Sequence, residues 1–124
     1  MKNTWVALGA GSAFIAVAMG AFGAHALRSR LSEYSLGVWN TAAQYQMYHA
    51  LALVAFGLWL QLASQTTAVS AFCGYAFVVG TIVFSGSLYA LALTDVKWLG
   101  AITPLGGAAF LAGWLAFGWS AWRG

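Results

Sequence analysis

Charge is what this sequence has least of. Five basic and two acidic residues among 124 make 6%, where a soluble domain carries about 25%. None of the seven falls within Asn3–Leu27, Tyr34–Thr94 or Trp98–Trp122. So few charges cannot clothe a soluble surface, and the class is integral membrane. The formal net charge of +3 is scattered, without the clustered basic face that nucleic-acid binding needs. Cys73 stands alone, which excludes an intramolecular disulfide and reads as a small buried apolar side chain. No C-x-x-C-H, no H-x-x-E and no paired carboxylate occurs. The sequence therefore assigns no catalytic residue, no metal ligand set and no cofactor.

What is present is apolar: 62% of residues are hydrophobic and 16% aromatic. Lys2, the run from Trp5 and Ala24-His25-Ala26 together look like a signal peptide with its cleavage site. However, the uncharged run through Leu27 is long enough to span a bilayer, and it is read as a retained first helix. The expected fold is an all-α membrane protein, one domain over residues 1–124 with four transmembrane helices in a compact bundle. The helices are expected at about 5–27, 42–62, 68–93 and 103–122.

Small residues recur at alternating steps of three and four, which places them on single helix faces. Helix 1 carries Gly9, Ala13, Ala16, Gly20 and Gly23 on one seam, and Ala7, Gly11, Ala18 and His25 on another. Cys73, Ala76, Gly80, Ser87 and Ala90 mark helix 3, and Gly106, Ala109, Gly113, Ala116 and Ser120 mark helix 4. Close backbone approach is what favours helix association in lipid, so these seams are the expected contacts.

Helix 2 is harder to place. A helix from Ser32 to Ser64 would be about 50 Å long, so its first part, about 32–41, is expected to be a short interfacial helix. Ser29 or Ser32 is the expected N-cap. A helix starting after His49 would be too short to span. The run Gln44-Tyr45-Gln46-Met47-Tyr48-His49 is thus drawn into the membrane, to a depth of roughly 5–10 Å. Polar groups at such depth face the protein interior. Gln61–Thr67 is the expected turn into helix 3. Thr103-Pro104 reads as the N-cap and first residue of helix 4, with a kinked helix from near Trp98 as the alternative.

Four crossings put the connections after helices 1 and 3 on one side, expected to be cytoplasmic because Arg28, Arg30 and Lys97 lie there. On that side the topology gathers His25, Tyr45, Gln46, His49, Tyr89 and Thr103 as candidates for a polar pocket. The main expectation is that each histidine bridges helices or bonds a carbonyl. The alternatives are proton or ligand contact and, last, a haem or metal site. Gly106 and Gly107, near the expected start of helix 4, can admit an anion or a carbonyl at a helix N-terminus. Capping and tight packing explain the same residues and are the main expectation for them, and Ser85-Gly86-Ser87 reads as a helix–helix hydrogen-bonding patch. Arg28, Arg30, Trp39 and Trp98 are expected to anchor the interface with lipid headgroups.

Four stretches carry a resemblance: Gly20–His25, Tyr45–Leu53, Phe84–Thr94 and Leu99–Gly107, running on to Gly113-Trp114. On these the chain resembles the YgdD-like family of uncharacterised small inner-membrane proteins (domain of unknown function DUF423). The resemblance implies a four-helix, multi-pass protein of the bacterial inner (plasma) membrane, with no established activity, cofactor or catalytic residue. The family pattern tends to have glycine where this chain has Asp95, so a local cap or an exposed loop charge is the expected role of that carboxylate.

The function expected from all of this is non-enzymatic: a structural or accessory component, partnered by the lipid bilayer and by copies of itself or a larger membrane complex. The rival is a small carrier or proton-linked permease using the histidine–tyrosine pocket. A cofactor-binding subunit is the third reading.

Overall fold

A computed structural model describes residues 2–63 and 66–123; Ser64 and Gln65, inside the expected Gln61–Thr67 turn, lie outside the described residues. Among the described residues there are four long helices: α1 (Thr4–Phe22), α2 (Glu33–Leu62), α3 (Ala68–Thr94) and α4 (Leu99–Arg123). α1 continues without a break into a π-helical turn, Gly23–Leu27. Among the described residues three stretches, Thr4–Leu27, Ala68–Thr94 and Leu99–Arg123, are long and apolar enough to cross a membrane.

Local chemistry explains where the helices begin. Asn3 caps α1 by accepting the Val6 N–H, and its amide donates to Gly57 O and Gln61 Oε1, pinning the start of α1 to the end of α2. Ser32 Oγ caps α2, as one of the two expected serines. Thr67 and Ser70 form a reciprocal capping box at the start of α3, satisfying N–H groups that a helix leaves free.

Two boundaries differ from expectation. Residues 32–41 are no separate interfacial helix: α2 runs unbroken from Glu33 to Leu62. Helix 4 begins four residues before Thr103. The N–H groups of Leu99, Gly100 and Ala101 already bond the carbonyls of Val96, Lys97 and Trp98, a tight 3₁₀-like first turn. Pro104 therefore lies inside the helix, where its missing N–H withholds one bond, to Gly100 O. The alternative, a helix that begins near Trp98 and holds Pro104 inside it, is the form adopted.

Asp95 ends α3 in the left-handed conformation, φ 58°, with its N–H on Leu91 O. That conformation suits glycine, and Asp is among the few side chains that tolerate it. Its carboxylate pairs with Lys97 at 2.8 Å in full solvent and holds the ammonium above its ordinary pKa. The expected cap and exposed charge are both present.

The helices pack in chain order: α1 on α2, α2 on α3 and α3 on α4. α2 and α3 form the centre, and α1 and α4 flank them. The small-residue seams are the contact faces. A Cβ on Gly9 would meet Ala50 O at 2.7 Å, and one on Gly57 would meet the Val6 N–H at 2.9 Å. A Cβ on Gly106 would strike the Phe84 backbone. The second small face of α1 behaves otherwise: Ala7, Gly11, Ala18 and His25 are all exposed.

Candidate functional site

Packing at those glycines fixes the register of the helices, and the register sets the depth of every polar side chain. α1 runs antiparallel to α2. Val6 lies beside Gly57, Ser12 beside Gln46 and Met19 beside Trp39. The gathered polar pocket expected near the loop side resolves into separate levels along this ladder.

At the loop end stands Trp39, which was expected to anchor the interface. It is instead 3% exposed. Its indole N–H donates to Met19 O at 2.7 Å, and its ring lies 4.7 Å from that of Tyr89. The reason lies opposite: a Cβ on Gly23 would come within 2.6 Å of the indole, so only glycine leaves room for it. The Gly23 N–H is shared between Met19 O and Gly20 O, and the π turn begins at this point. An inserted side-chain donor that competes for a helix carbonyl accounts for the widened turn. His25, on the same turn, points outward and is exposed. Arg28, Arg30 and Trp98 are exposed at this end as expected.

The next level is Gln46, which is buried. Its Nε2 donates to Ser12 O and Ser12 Oγ, both at 3.3 Å. Its Oε1 accepts the Tyr89 hydroxyl at 2.7 Å. One amide thereby ties α1, α2 and α3. Beside it Ser85 Oγ donates to Ala42 O at 2.8 Å, linking α3 to α2. Thr103 is not part of this group. It pairs with Ser87 at 2.6 Å, linking α3 to α4.

His49 lies further from the start of its helix than the expected beginning near Thr41 would put it. It sits midway along α2, against Phe77 of α3 and Phe110 of α4. The continuous α2 is the cause, because it places some twenty ångströms of helix (about 1.5 Å per residue) on either side of the ring. The Trp114 indole N–H donates to His49 Nε2 at 3.0 Å. An indole nitrogen is a donor only, so Nε2 must be the unprotonated nitrogen. The proton then belongs to Nδ1, which donates to Tyr45 O at 2.8 Å. The imidazole is thus neutral with a fixed tautomer, and it stacks on Phe110 at 3.5 Å between centroids and 5° between planes.

His25 and His49 do not meet. Gly23 lies level with Trp39, ten residues and about 15 Å along α2 from His49. Among the described residues no three His, Cys, Asp or Glu side chains gather as metal ligands. Gly106 and Gly107 are not at a helix N-terminus either. They lie two turns into α4, where Gly106 admits the Phe84 backbone.

Beside His49 runs a groove of about 480 Å³ along the flank of α4, lined by Tyr45, Phe84, Pro104, Phe110, Leu111 and Trp114 among others. Its walls are apolar, and His49 offers it no free nitrogen. Ser12 and Trp114 are the site residues that the sequence reading passed over. A lone hydroxyl on the edge of the Gly9–Ala16 seam was the signal for the first. For the second it was a tryptophan in mid-helix, since membrane tryptophans favour the interfaces.

The family model described as "Protein of unknown function (DUF423)" matches residues 19–107. The UPF0382 membrane protein of Staphylococcus saprophyticus is 48% identical over 114 residues, 91% of this chain and 92% of that protein. A second, of Staphylococcus aureus strain RF122, is 47% identical over 90% of this chain and 88% of its own. UPF0382 membrane protein YwdK of Bacillus subtilis is 44% identical over 91% of each. No solved structure matches. The chain belongs to the DUF423 family of multi-pass membrane proteins.

Proposed function

We propose that this DUF423 member is a non-enzymatic, four-span component of the bacterial plasma membrane that serves as a structural or accessory element, as an oligomer of itself or within a larger complex. The observation that carries the proposal is the state of His49. Both ring nitrogens are engaged, by Trp114 and by Tyr45 O, and the ring face is covered by Phe110. A group held in this way joins helices. A carrier's proton-binding or substrate-binding imidazole needs at least one nitrogen open to a wet path. Gln46, Ser85 and Ser87 are likewise engaged in linking helices. The relatives are named membrane proteins, in keeping with the proposed location.

α2 is the fourth span. From Trp39 to Gly57 it shares its depth with α1 and α3, which are apolar enough to cross. Its 30 residues are about 45 Å long against a hydrocarbon core of roughly 30 Å. Its first two turns therefore emerge into the interface near Arg28 and Arg30. We place that end in the cytoplasm, on the balance of basic residues.

The test is flux through vesicles holding the purified, full-length protein, alongside native mass spectrometry in mild detergent. The proposal expects proton flux equal to that of empty vesicles, unchanged in His49→Ala, with more than one chain per particle. Flux that depends on His49 would establish the carrier instead. A visible absorbance band or stoichiometric metal on the purified protein would establish the cofactor-binding subunit.

A further inference from the structure

The outward face of α2 carries something that the other helices lack. Gln44 is exposed and has no hydrogen-bond partner among the described residues; the same holds for Asn40, one turn away. Their depth follows from the register. Gln46 meets Ser12 and Trp39 meets Met19, so Gln44 lies level with Ala16, the middle of the apolar stretch Thr4–Leu27. On the other flank Ala42 meets Ser85 and Tyr45 meets Phe84, well inside the Ala68–Thr94 span. At this depth the exposed side chains of the other helices are apolar: Phe14 and Val17 on α1, Val79 and Ile82 on α3, Leu111 on α4.

An amide facing lipid at the centre of a bilayer costs free energy until it finds a partner. We infer that the partner is the Gln44 amide of a second copy of this chain, in a parallel two-fold contact along α2. This inference rests on the oligomeric reading above and locates its interface. Three observations select a second copy. An amide donates and accepts, so two identical amides pair with each other. All copies insert in the same sense, so a two-fold axis along the membrane normal brings Gln44 to its counterpart at equal depth, as an isologous contact requires. Gly37, Thr41, Gln44, Tyr48, Leu51 and Ala55 also follow one another at steps of four and three, the spacing of a left-handed helix pair. Of these only Thr41 is even half-buried within the subunit, and a Cβ on Gly37 would meet nothing.

One central amide in an otherwise less polar seam also sets register and partner number, as buried polar seam residues do in coiled coils. Asn40 flanks the pair on the loop side, where the helices leave the core.

The test uses the full chain in membranes with Cys73→Ser as background. Oxidative crosslinking is read at Leu51→Cys, on the seam, and at Val17→Cys, on the outer face of α1. The expected result is efficient dimer at Leu51→Cys, none at Val17→Cys, and a fall of about tenfold when Gln44→Leu is added. Gln44→Asn should retain the dimer, because the amide is kept. An oligomer by native mass spectrometry whose Leu51→Cys crosslink is absent, or indifferent to Gln44→Leu, would overturn this interface and leave the proposed function standing. A strict monomer at every protein density would overturn the interface and, with it, the self-oligomer form of the proposed function. Conversely, a Gln44-dependent dimer that also shows His49-dependent flux would keep the interface and remove the proposed function.

Discussion

Gln44 and Gln46 stand two residues apart on one helix and bear the same side chain, yet their surroundings are opposite. Gln46 is buried, and its amide joins three helices through Ser12 and Tyr89. Gln44, at nearly the same depth, faces outward with no partner among the described residues. In a bilayer both amides need hydrogen bonds, since lipid supplies none. What separates them is which structure supplies the bond. The inner amide and His49 hold the single chain together. The outer amide is the one that the proposed contact between copies engages.

That contrast can be broken hardest at His49. His49→Ala removes a buried ring stacked on Phe110 and leaves the part-buried indole N–H of Trp114 without its acceptor. A cavity and an orphaned donor together should cost the subunit about 3 kcal/mol, read as reversible unfolding in bicelles. The predicted tautomer, Nδ1–H with Nε2 accepting, is checked separately by ¹⁵N chemical shifts of the ring. An Nε2–H tautomer would contradict the Trp114 bond.

Gln46→Leu should cost about 1–2 kcal/mol in the same assay, because Tyr89 loses its acceptor and hydrogen bonds between membrane helices are individually modest. The double variant Gln46→Leu with Tyr89→Phe should recover part of that loss, since no buried hydroxyl is then left unpaired. With Tyr89→Phe alone completing the cycle, losses that simply add in the double variant would mean that the bond contributes nothing.

Asp95→Gly is expected to act in the other direction. Asp95 holds a left-handed conformation at the end of α3, which glycine adopts freely, so the variant should gain about 0.5–1 kcal/mol. The Lys97 ion pair that it loses is exposed and screened, and contributes little.

Much of this fold was legible because helix packing in membranes is written in small residues at steps of three and four. The seams through Gly9, Cys73 and Gly106 were read from spacing alone, and each is a contact face. Asp95 was legible as a cap for a similar reason, since few residue types suit that backbone. The positions that misled were those whose role depends on a residue in another helix. Trp39 has the composition of an interfacial anchor, and only Gly23 across the contact turns it inward. The length of one apolar run puts His49 near the start of its helix, whereas α2 runs unbroken from Glu33 and holds His49 at its middle. Thr103-Pro104 has the residues of a helix start, but the tight bonds from Leu99 to Ala101 nucleate α4 one turn earlier. Spacing within a helix is a property of sequence. Register between helices is a property of the pair.

The smallest expected effect is the most discriminating. Gln44→Leu should change the unfolding free energy of the isolated subunit by less than about 0.5 kcal/mol, as surface substitutions away from special features do. It deletes no bond within the chain, and leucine suits a lipid-facing position. Yet the same change should weaken self-association in vesicles, read as energy transfer between labelled copies diluted with lipid. Gln46→Leu should do the reverse, lowering subunit stability while association of the folded fraction holds. If both substitutions destabilise the subunit equally and neither alters association, the two faces of α2 are not divided in labour, and the outward amide needs a different explanation. The pair of measurements separates the faces because each variant serves as the other's control, on one helix and at one depth.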